Sequence, residues 1–461
     1  MSIIKAYTLP HPPLVIPAVG RGKEKDIQDT LTAFERVGED IAKLQPETII
    51  FITPHGTVYS DYFHISPGQS AEGDFGRFAA PDVRINTNYD EELIDVIEQA
   101  AMLSDIPAGT EGEKDSRLDH GVMVPMWYIN KHYTDYKSVR VSQSGMSSCE
   151  HYLLGQILTK AAAHINRKVV VVASSDLSHR LQDGGPYPYA PEGRVFDEAV
   201  ISALKRGDFL GLLKIPENIK EKAGECGYNS LMVLSGLFDM LKVDAKLLSY
   251  EGPFGVGYAI AEFLPKNEDF SRNFLEQYLE FTLEESSKCR NLEDDYQLLA
   301  RQSLEHVIKT GDKLPIPKGL PSEMLSQRAG VFVSLHKNGR LRGCIGTIAP
   351  ATDCIANEVI SNAISAGLSD NRFDPVQKDE LLYLTYKVDV LSAPESISGP
   401  GELDIKRYGV IVTSGMRRGL LLPNLDGVDT VSDQIDIACS KAGIQKGAEI
   451  KLQRFEVIRH G

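Results

Sequence analysis

Three short hydrophobic runs in this 461-residue chain stop at a turn that carries a histidine. Residues 48–56 read TIIFITPHG; the β-branched run predicts a buried parallel strand that ends at Pro54 and leaves His55 just past its carboxyl end. Residues 3–9 run in the same way into Pro10-His11-Pro12-Pro13, and Val169 to Val172 lead into Asp176 and His179. Open α/β sheets bind ligands outside the carboxyl ends of their strands, so three strand ends are expected to offer histidine to one place.

Between these runs the period changes to that of helices. Residues 26–44 place Ile27, Leu31, Phe34, Val37, Ile41 and Leu44 at three- and four-residue intervals, which makes the opening a βαβ unit with an expected right-handed crossover. Further helices are expected at 91–103, 150–165, 195–205 and 209–213, strands at 139–142, 168–174, 245–250 and 256–263, and a turn opening a buried helix at AGECGYNSLMVLSG. Residues 62–88 read as excursions or edge strands, and residues 181–192, with three prolines and two glycines, as a loop of lid length. After an expected domain boundary at 265–269, a charged helix over about 270–287 reads as a connector. The remainder mixes helices (296–309, 354–368, 430–442) with strands (382–391, 409–413, 419–422, 450–457) and a hairpin through Asn338-Gly339. The expected architecture is an α/β domain over 1–265 with a central mixed sheet flanked by helices, a helical connector over 266–289, and an α+β domain over 290–461.

Such a length calls for more than one core. The 49 basic against 64 acidic residues, a net charge of −15, argue against nucleic acid, which needs a basic footprint. No apolar run approaches the roughly 18 residues of a membrane span, so no membrane partner is expected. Residues 1–5 are expected to begin a strand, with no charged n-region or small-residue cleavage site of a signal peptide. Six scattered cysteines without a CxxC pair fit free thiols in a reducing compartment, and a cytoplasmic protein is the expectation. Gly255 and Gly257 do not complete a GxGxxG and there is no Walker A sequence, so nucleotide binding has no support.

His11, His55, His120 and His179 all lie in turns beside Pro, Gly, Ser or Asp. Neutral imidazole is a good ligand for iron, zinc or copper, and two histidines with a carboxylate or thiolate leave open positions for a substrate. A single turn histidine is more often solvated or a helix cap, and His64, His132, His151 and His164 are read as ordinary surface or packing residues. Asp176, three residues before His179, is expected either to orient that imidazole or to cap a helix.

Taken in order, PHPP, ITPHG, LDHG, SSDLSH and ECGYNSLM resemble the class III extradiol ring-cleavage dioxygenase (LigB-like) superfamily, including its Memo branch, over about residues 1–265. The resemblance implies a metal-dependent oxidoreductase with His11 and His55 as ligands, His179 as acid/base and His120 lining the substrate pocket. Fe(II) is the implied metal, copper or zinc the alternatives, and a catechol or related diol the implied small-molecule substrate. The third ligand departs from the dioxygenase pattern: ring-cleaving members have glutamate before the glycine, whereas here Cys226 precedes Gly227, as in Memo-like members, and Glu225 is one position early. Adjacent residues at a helix start point roughly 100° apart, so one of the two ligates. Cys226 fits the motif and weakens the case for ring cleavage; Glu225 fits the harder chemistry of iron.

In the second half, Arg342-Gly343-Cys344-Ile345-Gly346 sets two glycines in a strand, which suggests a bulge or a ligand close to the backbone, or glycine chosen for packing. Arg342 is a candidate anion holder and Cys344 a candidate reactive thiol. With Asp370-Asn371-Arg372-Phe373 and RGLLLP at 418–423, this stretch resembles the AMMECR family over about 290–461, making Arg342, Cys344, Asp370 and Arg372 a possible second site. The fusion of the two is similar to the protein A family of the AmmeMemoRadiSam system, which implies a radical SAM partner protein; no CxxxCxxC is present here to bind an iron–sulfur cluster.

Overall fold

A computed structural model describes residues 2–425 and 427–461. The chain divides into two compact units, residues 1–279 and 280–461.

The first unit is built on a six-stranded mixed sheet. Its strands are β1 (Ile3–Leu9), β2 (Thr48–Thr53), β3 (Lys137–Ser142), β4 (Val169–Ser174), β5 (Leu241–Glu251) and β6 (Tyr258–Glu268), in the order β3-β2-β4-β1-β6-β5. The first four of that order run parallel, and β6 is antiparallel to β1 and β5. All six residues of β2 and of β4 are buried, as strands covered on both faces must be. Each fully buried Val or Ile there contributes about 1.5–3 kcal/mol of transfer free energy. The expected βαβ opening is present: α1 (Gln28–Leu44) buries Thr30, Ala33, Phe34, Val37, Gly38 and Ile41 at helical spacing.

Four long helices follow in the layers, α2 (Glu91–Leu103), α3 (His120–Asn130), α4 (Ser148–His164) and α5 (Pro191–Arg206), with short ones at Phe209–Leu213 and Glu217–Ala223. Helix α3 is the apolar stretch that follows Gly121; it is buried on nearly every face, so it lacks the amphipathic period that marks surface helices. A fifth, α6 (Tyr228–Gly236), is buried in the same way and follows the Glu225-Cys226-Gly227 turn. Residues 70–75 and 80–88 pair with each other in a separate hairpin. Strand β6 continues through Pro265 to Glu268, within the segment expected to hold the boundary. Beyond Phe263 it has β5 alone as neighbour, an edge position that tolerates proline. The division between the units falls within the helix Phe274–Asn291.

The second unit is α+β, with two four-stranded antiparallel sheets. One holds β7 (Gly330–Lys337), β8 (Arg340–Gly346), β9 (Leu384–Leu391) and β14 (Val457–His460), in the order β8-β7-β9-β14. The other holds β10 (Glu395–Ile397), β11 (Gly409–Ser414), β12 (Arg417–Leu421) and β13 (Lys451–Phe455), in the order β10-β13-β11-β12. Helices α7 (Asp295–Thr310) and α8 (Ile355–Leu368) pack on the first sheet and α9 (Val431–Lys441) on the second. The β7–β8 turn sets Asn338 and Gly339 at φ 53° and 81°, the positive pair a two-residue hairpin demands. The single strand expected over 450–457 is two strands in different sheets. They part at Glu456, whose backbone N–H donates to Ser392 Oγ and whose carbonyl accepts from Ser392 N–H, each at 2.9 Å.

Candidate metal centre

Because β1, β2 and β4 are parallel neighbours, the turns that follow them meet at one end of the sheet. His11 and His55, each two residues past its strand, bring their Nε2 atoms to 3.0 Å. Cys226 enters from the turn before α6 with its Sγ 3.5 Å from His11 Nε2 and 3.6 Å from His179 Nε2. The ligand atoms of His11, His55 and Cys226 all lie within 4.8 Å of one another. Nitrogen and sulfur donors bonded to one ion at about 2.0–2.3 Å stand roughly 3–3.7 Å apart, the range of the His11–His55 and His11–Cys226 separations. The His120 ring stacks on His55 (centroids 4.2 Å, 22° between planes) and stands edge-on to His11 at 5.5 Å.

Two glycines allow this convergence. A Cβ at Gly227 would lie 2.3 Å from Ser175 Cβ and 2.7 Å from the Asp176 carbonyl, so α6 can start against the end of β4 only without a side chain there. A Cβ at Gly121 would meet Thr53 Oγ1 at 2.4 Å, which is how α3 carries His120 to the end of β2.

Hydrogen bonding sets the tautomers. Ser174 Oγ donates to the Gly121 carbonyl at 2.6 Å, so toward His11 Nδ1, 2.9 Å away, it accepts. His11 Nδ1 therefore carries the proton, and Nε2 turns a lone pair into the cluster, as a metal ligand requires. With His11 Nε2 as the acceptor, His55 Nε2–H donates to it; ligation through His55 Nε2 would require that proton to move to Nδ1. Burial, then the neighbouring imidazoles, hold His11 well below its usual value; burial brings His55 and His120 to about 4 and lowers His179. All four rings are neutral at pH 7. Burial, with the nearby Asp176 and Glu225 carboxyls, pushes the Cys226 thiol up, which favours its protonated form.

The neighbouring expectations fare differently. Glu225 is not part of the cluster: its Oε2 accepts the Tyr228 backbone N–H at 2.5 Å, so it caps α6, and burial raises its carboxyl to about 7. Asp176 serves His11 and not His179: Oδ1 accepts the His11 backbone N–H at 2.7 Å, with Oδ2 3.8 Å from His11 Nε2. Leu9 and Ser174 are partners in the parallel register, so the residues two positions beyond each strand come abreast. The residue that fixes the His179 turn is Asp197 of α5, fully buried, whose Oδ1 accepts the Ser178 N–H at 2.9 Å and whose Oδ2 accepts the Tyr250 O–H at 2.7 Å. From the 181–190 loop, Tyr187 stacks on His179 (5.7 Å, 21°), and Phe78 packs on His120 at 5.4 Å. Gln143, one residue past β3, donates to the Cys226 carbonyl at 3.1 Å. Ser174, Asp197, Gln143, Tyr187 and Phe78 were not singled out by sequence. A polar residue ending or just past a buried strand was the available sign for Ser174 and Gln143, and an aromatic in a lid-length loop the sign for Tyr187.

In the second unit Cys344, Asp370 and Arg372 meet and serve one another, while Arg342 pairs with Glu380. Arg342 is bidentate to Glu380 (Nε to Oε2 3.0 Å, Nη2 to Oε1 2.9 Å), with Lys337 Nζ 2.9 Å from the same carboxylate, so it is already committed and does not offer a free anion holder. Asp370 accepts the Cys344 N–H at 2.9 Å and pairs with Arg372, which donates to the Cys344 carbonyl at 3.1 Å. Together they occupy backbone groups of the edge strand β8 as a neighbouring strand would. The close approaches at the glycines are packing ones: a Cβ at Gly343 would lie 2.1 Å from the Ala366 carbonyl of α8, and one at Gly346 2.2 Å from the Phe332 ring. Ser334 Oγ donates to Cys344 Sγ at 3.2 Å.

A mixed α/β unit that gathers histidines and a thiol at its strand ends, followed by an α+β unit, has counterparts among known proteins. Residues 5–261 match the family described as the catalytic LigB subunit of aromatic ring-opening dioxygenase, and residues 298–460 match AMMECR1. The chain belongs to the LigB family and carries an AMMECR1 domain fused behind it. A Clostridium acetobutylicum protein is 43% identical over 468 residues, covering 100% of this chain and 99% of its own. A Thermotoga maritima protein is 45% identical over 170 residues, covering 36% of this chain and 98% of its own. Among solved structures, an uncharacterized Pyrococcus horikoshii protein aligns with TM-score 0.33 at 31% identity, covering 36% of this chain and 88% of that one. An uncharacterized Escherichia coli K12 protein aligns with TM-score 0.38 at 15% identity, covering 56% and 99%. No helix among the described residues is long and apolar enough to cross a membrane.

Proposed function

We propose that the first unit is a metal-dependent oxidoreductase centre of the LigB type, acting on a small molecule, in which His11, His55 and Cys226 hold one divalent ion. The observation that carries this reading is that two Nε2 atoms and one Sγ lie within 4.8 Å of one another, with the His11 tautomer already set for ligation. The donor set fits iron, copper or zinc, and iron is the metal the family resemblance implies. Such an ion supplies Lewis-acid or redox chemistry at the substrate. The chain's own share is to orient and to move protons. Neutral His179, its turn clamped by Asp197 and its ring beside the cluster, accepts and returns a substrate proton at Nε2. His120, between His55 and Phe78, hydrogen-bonds the substrate from the facing side.

A second reading is a metal-binding accessory protein of a radical SAM modification pathway that does not cleave rings. It is favoured by one observation: the thiol stands in the ligand position while the Glu225 carboxylate is spent on α6. Anaerobic Fe(II) loading followed by oxygen uptake across a catechol panel separates the two. Stoichiometric uptake with a ring-opened product supports the first as a dioxygenase. Metal binding without uptake supports the second.

A further inference from the structure

Arg140, in β3, is 1% exposed, and its guanidinium donates chiefly to one irregular segment, residues 113–119, which has neither helix nor strand of its own. Nη1 donates to the Arg117 carbonyl at 2.7 Å. Nη2 donates to the Asp115 carbonyl at 3.2 Å and faces both Glu113 carboxylate oxygens at 3.4 Å, and Nε donates to Ser66 Oγ. Asp119 Oδ2 is buried without a hydrogen bond, and Arg140 Nη1 faces it at 3.7 Å. A buried charge is tolerated only when paired and hydrogen-bonded, so this segment and this cation need each other.

Both ends of the segment are tied to the stacked pair His55 and His120. Asp119 directly precedes His120; its Oδ1 accepts from Thr53 Oγ1 at 2.6 Å, and the same Oγ1 accepts the His55 backbone N–H at 3.2 Å. Glu113 accepts at 3.1 Å from Oγ1 of Thr57, two residues past His55. One guanidinium is thus linked to the start of α3 and to the turn after β2, the two places whose rings stack at 4.2 Å. His11 is held separately, by Ser174 and Asp176.

Resting on the reading of His120 as a substrate-facing residue, we propose that Arg140 is a positioning residue of the pocket: it fixes residues 113–119 and so sets the His55–His120 stack, touching neither substrate nor metal itself. A guanidinium carries five donors in a rigid fork, which is what lets one side chain serve two carbonyls and two carboxylates at once. Without it the Glu113 and Asp119 carboxylates face buried space uncompensated, so the segment moves and takes His120 with it.

NMR of the metal-free full chain with isotope-labelled histidine tests this, the rings assigned through His11→Gln, His55→Gln and His120→Gln. The parent shows a nuclear Overhauser contact between the His55 and His120 rings. Arg140→Lys, which keeps the charge without the fork, and Arg140→Met, which keeps neither, lose that contact and shift both rings, while the His11 resonances stay at their parent positions. Loss in Arg140→Met alone keeps the positioning role and assigns it to the charge. A parent without the contact, a contact that survives in both variants, shifts that spread equally to His11, or loss of the fold in both variants overturns the proposal. Zn(II) titration of the parent keeps this apart from the metal reading: a chain that takes up no metal refutes the metal centre and leaves the ring contact standing.

Discussion

Cys226 Sγ lies 3.5 Å from His11 Nε2, although 215 positions separate the two residues in the chain. The contact depends on Gly227, because α6 can begin against Ser175 only where no Cβ intervenes. Gly227→Ala puts a methyl 2.5 Å from Ser175 Cα, a backbone atom that cannot swing aside. The expected outcome is a displaced Cys226, with metal affinity reduced at least tenfold by competition with a chromophoric chelator while the circular dichroism spectrum is retained. Unchanged affinity would mean that the thiol is not a ligand or that the turn yields freely.

Asp197 gives a prediction of the opposite kind. Removing its carboxylate leaves the buried Ser178 N–H unpaired and takes the acceptor from the Tyr250 O–H, so Asp197→Ala is expected to cost about 1–3 kcal/mol. Tyr250→Phe is expected to cost about 1 kcal/mol, since one accepted bond remains. The three residues proposed as ligands lie outside this clamp, so metal stoichiometry is expected to stay at that of the parent while the His179 ring resonances broaden or shift in NMR. Unmoved His179 resonances in Asp197→Ala would refute the positioning role.

Glu380 carries a pH signature in the second unit. Burial works to raise its carboxyl, but the Arg342 hydrogen bonds, the Gln377 N–H and Lys337 outweigh it and bring it down to about 2 from an ordinary 4.5. The folded state thus binds fewer protons than the unfolded one between those pH values. The stabilisation is complete above pH 4.5 and is lost as pH falls toward 2. Glu380→Gln is expected to cost about 2–3 kcal/mol at pH 7 and progressively less below pH 4.5, read from melting temperatures of the full chain. A penalty that does not change with pH would place the effect in packing.

Much of this was legible in the sequence, for a definable reason. Strand ends are marked by where a β-branched run stops, so the turns holding His11, His55 and His179 were found before any contact between them was known. Cys226 and Glu225 remained alternatives because adjacent residues differ only in the direction they point, which the start of α6 decides. Asp176 was linked to His179 by sequence proximity, yet the β1–β4 register sets it beside His11, 165 positions away. Arg342 read as a free cation because Glu380, its partner, lies 38 positions further on. Helix α3 went unassigned because a helix buried all round has no polar face to give it a period.

X-ray absorption at the edge of a bound metal, measured on the Fe(II)- or Zn(II)-loaded full chain, addresses the His11, His55 and Cys226 centre most directly. One sulfur neighbour at about 2.3 Å and nitrogen or oxygen neighbours at about 2.0–2.2 Å are expected. The sulfur contribution disappears in Cys226→Ser and is unchanged in Glu225→Gln. A parent spectrum without sulfur, or metal lost in Glu225→Gln while Cys226→Ser keeps it, would contradict the assignment of the thiol as the third ligand.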